Sequence, residues 1–318
     1  MSIMQQLRYM CAQPATDYYA WQVETMLTNF YAMGINPNHI DIVCHKEGCV
    51  VPPIWERMAE TYPSRFFFYC DTRKNRNYIS SIRPNILRQH WEAHPYLQDD
   101  IIFYHDCDML FTKPPHDWLT DNLLDGDEWY GSDVRWYIGY DYIISKGQDI
   151  LDAMTDIMGI SQDLIKAKSE DKQDIGAQYL MKNVDAPFWY SVEYFSERLF
   201  KDINELSNKK KQEIDKYHEL QIWCADMWAL LWSAWKRGIT TKIDTAFNFA
   251  WGTSAYYELD NFNIYHNAGI TTNANGLFHK AQYINTPPYK LNLQVPASSA
   301  TAYYYEWVKR TETNTILI

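Results

Sequence analysis

Strand-length apolar runs alternate with amphipathic helical stretches in the first third of the chain, and this alternation constrains the fold most. LRYMCAQP (7–14), HIDIVCH (39–45), RFFFYCD (65–71) and IIFYHDCDMLF (101–111) read as strands. Between them lies first a helix entered through Thr16-Asp17, with Val23, Met26, Leu27 and Phe30 at helical spacing up to Gly34. A short helix opened by Pro52-Pro53 follows, and then one carrying Ile86, Leu87, His90 and Trp91. Such alternation implies right-handed crossovers and an α/β fold, with a mainly parallel sheet flanked by helices. Ligands bind at the carboxyl ends of such strands. Cys11 to Pro14, Asp71 and Asp106-Cys107-Asp108 would all lie at that edge.

The fourth run ends in two aspartates one residue apart, Asp106 and Asp108. Like charges at a buried strand end repel, so a positive charge belongs between them. Oxygen ligands in an Asp-x-Asp suit Mn²⁺ or Mg²⁺, although the same dipeptide pattern also occurs at ordinary strand-to-loop junctions. IYHNAG supplies a third ligand, His266, whose imidazole suits Mn²⁺, and Gly269 allows close backbone approach to a phosphate. Asp71, at the tip of the third strand, is placed to accept hydrogen bonds from a ribose or a uracil; an ordinary turn residue is the other reading.

The second half is less regular. Residues 128–147 alternate like one or two strands with a turn at Gly139. Residues 171–183, a helical stretch from Phe188 to Phe200 and a charged surface segment, 202–219, come next. QIWCADMWALLWSAWKRG (221–238) reads as a buried helix in which Asp226 is the sole acid. An unpaired buried carboxylate costs several kcal/mol. Asp226 is therefore either paired, with an Arg such as Arg83 or Arg135, or a carboxylate lining a sugar cleft. Strands or loops in 239–251 and 263–269 precede Pro287-Pro288 and a last helix near 299–310. No repeat or linker divides the chain. One domain is expected over 1–318, with a nucleotide-sugar half (1–115), an acceptor and catalytic half (116–285) and an extension (286–318).

Composition narrows the partners. Thirteen Trp and 25 Tyr favour a partly wet aromatic cleft, because rings offer an apolar face to a sugar while their polar ends need partners. The net charge of −11 gives no general attraction to nucleic acid or anionic membranes. The six cysteines show no framework spacing and read as reduced thiols. No leader or spanning segment is read, so the expectation is a soluble, cytoplasmic chain with no membrane partner.

These residues together resemble a family. Asp106-Cys107-Asp108 after an apolar strand, with His266-Asn267-Ala268-Gly269 near the carboxyl end, is similar to the metal-dependent glycosyltransferases of the GT-A fold. The resemblance narrows to the hydroxyproline O-arabinosyltransferases and peptidyl-serine α-galactosyltransferases. Their YxxWQ-type helix is matched by Tyr18 to Gln22, and their DK-x-GG segment by Asp171-Lys172 with Gly176-Ala177. Ala186-Pro187-Phe188-Trp189 matches their aP-x-W stretch, and Trp223, Asp226 and Met227 match W-x-x-E-M. Ala177 replaces a Gly, and Asp226 a Glu.

The resemblance implies metal ligation by Asp106, Asp108 and His266, with Asp226 as the catalytic carboxylate. Nucleotide-sugar contacts are implied for Cys11, Ala12, Asp71, Arg83, Cys107 and Gly269. Substrate contacts are implied for Asp133, Gln178, Trp189, Trp223 and Asn267. The expected reaction transfers a pentose such as arabinose, or a hexose, from a UDP-sugar to a hydroxyl with retention. The acceptor hydroxyl is expected on a hydroxymethylated DNA base or on a protein or small glycan. A nucleotidyl- or phosphotransferase using the same metal site, and a non-catalytic sugar-binding module, are the rival readings.

Overall fold

Apolar residues that alternate or run continuously become strands only where helices cover them, and the computed structural model follows this rule. It describes residues 5–272 and 276–315; the ends of the expected halves, 1–4 and 316–318, lie outside them. The architecture is α/β, with a mainly parallel central sheet flanked by helices. The chain divides into two compact units, each assembled from separated segments.

The first unit comprises Arg8–Phe68, Tyr104–Asp125 and Ala246–Ile318. It holds β1 (Leu7–Pro14), β2 (Ile40–His45) and β3 (Arg65–Tyr69), neighbours in the order β3-β2-β1. β1 runs parallel to β2, from Tyr9 opposite Ile40 to Pro14 opposite His45. Met10, Cys11, Ile42 and Val43 are fully buried, as expected of a parallel sheet covered on both faces. The helix Asp17–Ala32 starts at an extended Thr16 and carries Asp17 in its first turn, where a negative charge favours the helix dipole. It buries Trp21, Val23, Met26, Leu27 and Phe30 and stops before Gly34, whose φ of +78° suits only glycine cheaply.

The second unit comprises Met1–Leu7, Tyr69–Phe103 and Gly126–Thr245. Here β4 (Ile101–Tyr104) is followed in the sequence by the short strand β5 (Met109–Phe111), which belongs to the first unit. Then come β6 (Trp129–Asp133), β7 (Ile175–Met181) and β8 (Thr241–Ile243). The order β4-β7-β6-β8 holds here, with β6 antiparallel to β7 and parallel to β8. The register of β6 against β7 slips between Gly131 and Ser132, and Ala177 in this bulge adopts φ +62°. That conformation costs a residue with a Cβ about 1–2 kcal/mol.

The helix Ala186–Glu213 starts at Asp185, whose carboxylate accepts the Phe188 N–H at 2.7 Å, and it runs on through the charged segment read as surface. It packs against the helices Ile82–Ala93 and Ala225–Lys236.

Two expectations need correction. Residues 128–147 are not strands throughout: after β6 the chain forms two short helices, Arg135–Ile138 and Tyr140–Ile144, hinged at Gly139. A Cβ at Gly139 would lie 2.6 Å from the Arg135 carbonyl oxygen, so only glycine permits the tight junction. The aromatic and β-branched residues that suggested strands are held by packing instead, which overrides their propensity. Nor are all six cysteines thiols. Cys49 and Cys70 are disulfide-bonded, whereas Cys11, Cys44, Cys107 and Cys224 are free and buried. Spacing gave no sign of this because pairing is set by where the fold brings each sulfur.

Candidate metal centre

The turn after β4 is fixed by backbone bonds on both sides. His105 donates its N–H to Met10 O at 3.0 Å, and Met109 donates to Asp106 O at 3.2 Å. β5 then pairs antiparallel with β10 (Ile264–His266), setting Met109 opposite His266, while β9 (Phe249–Trp251) lies parallel on the other side of β10. Asn267 N–H donates to Asp108 O at 3.1 Å, which holds the two loop ends together.

This scaffold brings Asp106, Asp108 and His266 together. One ligand atom from each lies within 4.8 Å of the others. His266 Nε2 is 3.5 Å from Asp106 Oδ2 and 3.3 Å from Asp108 Oδ1. Asp108 is 4 % exposed and Asp106 37 %, so the pair has one inner and one outer carboxylate. Burial opposes the charge on His266, but Asp108, by charge and hydrogen bond, outweighs it and raises the imidazole pKa, with Asp106 assisting.

Lys280, absent from the sequence reading, ion-pairs directly with Asp108. Burial alone would raise the Asp108 pKa; the Lys280 charge and His266 instead hold it far below the usual carboxylate range. Lys280 and His266 thus both face the two carboxylates. The donor set of two oxygens and one nitrogen fits Mn²⁺ or Mg²⁺. Nothing in the spacing of the single Lys280, fourteen residues beyond His266, marked it in advance.

Other expected residues of this unit surround the cluster or its strands. Cys11, Ala12 and Cys107 are buried, and Asp106 and Asp108 both act electrostatically on Cys107. The Asn267 Oδ1 accepts the Tyr265 hydroxyl at 2.9 Å. Gly269 has φ +83°, and a Cβ there would press on the Trp251 ring at 3.2 Å.

The remaining expected residues lie in the second unit. Asp226 pairs with Arg83 and accepts the Tyr78 hydroxyl at 2.8 Å, while that hydroxyl also lies 2.6 Å from Trp223 O. Of the two arginines considered from sequence, Arg83 is the partner. Arg135 instead pairs with Asp133 through Nε at 3.0 Å and Nη2 at 2.6 Å. The Asp71 carboxylate accepts from Arg73 and lies 3.1 Å from Arg76 Nε. Burial works against its ionisation, but the hydrogen bonds and charge of Arg73 prevail and hold its pKa low. Gln178 is buried in β7, Trp189 is buried against Trp91 with ring centroids 5.5 Å apart, and the Trp223 side chain is exposed.

Sequence reading also passed over Asp174, fully buried just before β7, whose carbonyl accepts the Val134 N–H at 3.3 Å. Burial pushes its carboxyl pKa up to about 6; Ser169 and Arg135 pull the other way, and Asp133 adds to the rise. The folded chain therefore holds this proton more tightly than the unfolded chain. Stability is then lost as pH rises from the unfolded carboxylate range, near 4, through about 6. Asp174→Asn is expected to stabilise the fold at pH 7 by about 2–3 kcal/mol and to change little at pH 4. Urea unfolding at both pH values measures this; equal effects at the two would disprove the assignment.

No family model matches the sequence, and no curated protein does. Solved structures align with the chain. The bifunctional glycosyltransferase WbbM aligns over 99 % of this chain and 51 % of its own, at TM-score 0.50 and 10 % identity. This chain therefore spans about half the length of WbbM. The galactosyltransferase LgtC aligns over 95 % of each chain at TM-score 0.44 and 11 % identity. Mouse xyloside xylosyltransferase 1 aligns over 82 % of this chain and 96 % of its own at TM-score 0.38 and 11 % identity. At such identities the likeness is one of fold: the chain shares the α/β fold of the glycosyltransferase WbbM.

Proposed function

We propose that the chain is a metal-dependent glycosyltransferase that moves a sugar from a nucleotide diphosphate sugar, specifically a UDP-sugar, to a hydroxyl acceptor. The observation that carries this reading is the convergence of Asp106, Asp108 and His266 where β4 ends. The fold held in common with WbbM supports it. In the reaction the bond from the anomeric carbon to the diphosphate breaks, a bond to the acceptor oxygen forms, and the acceptor proton leaves. Asp106, Asp108 and His266 would hold a divalent cation, which would supply charge neutralisation for the departing diphosphate.

Lys280 adds a positive charge at the same place, where developing negative charge is stabilised most in a water-poor setting. Asp226, oriented by Tyr78 and Arg83, is assigned to the sugar, either its hydroxyls or positive charge at the anomeric carbon. Mn²⁺ as the ion, retention of configuration, and arabinose or a hexose as the sugar belong to this proposal. The acceptor hydroxyl is assigned to a modified DNA base, a protein or a glycan.

A thermal-shift screen of UDP-, GDP- and CMP-sugars with and without Mn²⁺ tests the reading. A true donor at a hundred times its Kd should stabilise the fold by about 2.7 kcal/mol, and only with metal. Stabilisation by nucleoside triphosphates but by no nucleotide sugar would transfer the site to phosphoryl or nucleotidyl chemistry.

A further inference from the structure

We propose that the second unit carries a subsite for a neutral saccharide on the exposed face of Trp136. The cleft measures about 510 Å³ and is lined by Asp133, Arg135, Trp136, Asp141, Tyr142 and Ser145.

The indole makes the case. Trp21, Trp55, Trp91, Trp129, Trp189, Trp228 and Trp232 are fully buried, yet Trp136 is 64 % exposed. An exposed indole offers apolar surface that a ligand face can cover. Its position is rigid. The turn Arg135–Ile138 is anchored by the buried Val134, Tyr137 and Ile138 and closed by Gly139, where no larger residue fits. The Trp136 ring also meets Tyr137 edge-on, with centroids 4.5 Å apart.

Beside the indole sits a held polar fork. Asp133 accepts from Arg135 Nε at 3.0 Å, from Nη2 at 2.6 Å and from its backbone N–H at 3.1 Å. The Arg135 hydrogen bonds and charge keep Asp133 ionised and its pKa low. A flat apolar ring next to planar, fixed donors and acceptors is the chemistry that recognises a pyranose, with an apolar face and equatorial hydroxyls. The Tyr142 ring bounds the far side, with the Lys146 ammonium 4.8 Å from its centroid and its hydroxyl accepting the Gln221 N–H at 2.9 Å.

Charge bears on the ligand class. The lining holds Asp133 and Asp141 against Arg135, with Lys146 over the Tyr142 ring and the Lys172 charge acting on Asp133. Arg135 is already committed to Asp133, so the site offers no excess positive charge to hold a phosphate, and an uncharged sugar is the better occupant. As the acceptor end of the enzyme the subsite rests on the glycosyl-transfer reading; saccharide binding itself does not.

The test is a titration of the full chain with lactose, maltose and cellobiose, followed by calorimetry and saturation-transfer NMR, in EDTA and without nucleotide. At least one disaccharide is expected to bind, Trp136→Ala to weaken it at least about tenfold, and Trp136→Phe to restore most of the loss. A hydroxymethylcytosine oligonucleotide should not compete. Because the side chain is exposed, Trp136→Ala should keep the wild-type melting temperature. Failure of all three sugars to bind, equal binding by Trp136→Ala, or competition by the oligonucleotide would each overturn the proposal. Binding here alongside failure of every nucleotide sugar in the thermal-shift screen would retain the subsite and remove the transfer reading.

Discussion

Asp106→Asn is expected to abolish Mn²⁺-dependent stabilisation by UDP while leaving the fold intact. Asp106 is the outer carboxylate, 37 % exposed, and the inner pairing of Asp108 with Lys280 and His266 survives its loss. Asp108→Asn should also lose the metal effect, but at a further cost. Removing one partner of a buried ion pair is typically worth about 3–5 kcal/mol, and the low end applies here because Lys280 is 28 % exposed and can reach water. The two variants therefore separate metal binding from stability. Differential scanning fluorimetry with UDP and Mn²⁺, paired with urea unfolding of each apo protein, reads both quantities. Wild-type UDP–Mn²⁺ stabilisation in Asp106→Asn would remove the metal assignment.

Asp226→Asn is expected to keep UDP binding and to lower turnover at least about a hundredfold, the scale of losing one well-placed charged group. The amide still accepts the Tyr78 hydroxyl, so the local geometry is kept while the charge opposite Arg83 is removed. Arg83→Met is the matching control. If Asp226 serves only as the partner of Arg83, both variants should lower stability alike and leave kcat near wild type. A fall in kcat larger in Asp226→Asn than in Arg83→Met, at unchanged melting temperature with UDP, assigns Asp226 to chemistry and Arg83 to its positioning. Steady-state kinetics of sugar transfer or of UDP-sugar hydrolysis supplies the measurement.

The strands and helices of the first third were legible because each carries a local signal. Continuous apolar runs, Pro52-Pro53 at a helix start and Gly34 at a helix end need no knowledge of distant residues. The clustering of Asp106, Asp108 and His266 was legible for a related reason. Asp106 and Asp108 are a local pattern at a strand end, and His266 follows an apolar lead-in that became β10. Residues 128–147 misled because their Trp, Tyr and Ile content fits strand and helix equally. Packing beneath Tyr137 and Ile138, with the steric need for glycine at 139, decided the matter.

By itself, then, the sequence determined the α/β class and the residue types that the fold brings together as Asp106, Asp108 and His266. These follow from periodicity and from the chemistry of individual side chains, both properties of short stretches. Only the tertiary structure decided that Lys280 balances Asp108, that Arg83 rather than Arg135 holds Asp226, that Asp174 is buried with a raised pKa, and that Cys49 and Cys70 are oxidised. Each of these depends on distance and burial. Coulomb energy and desolvation vary steeply with both, and neither can be read from separation along the chain.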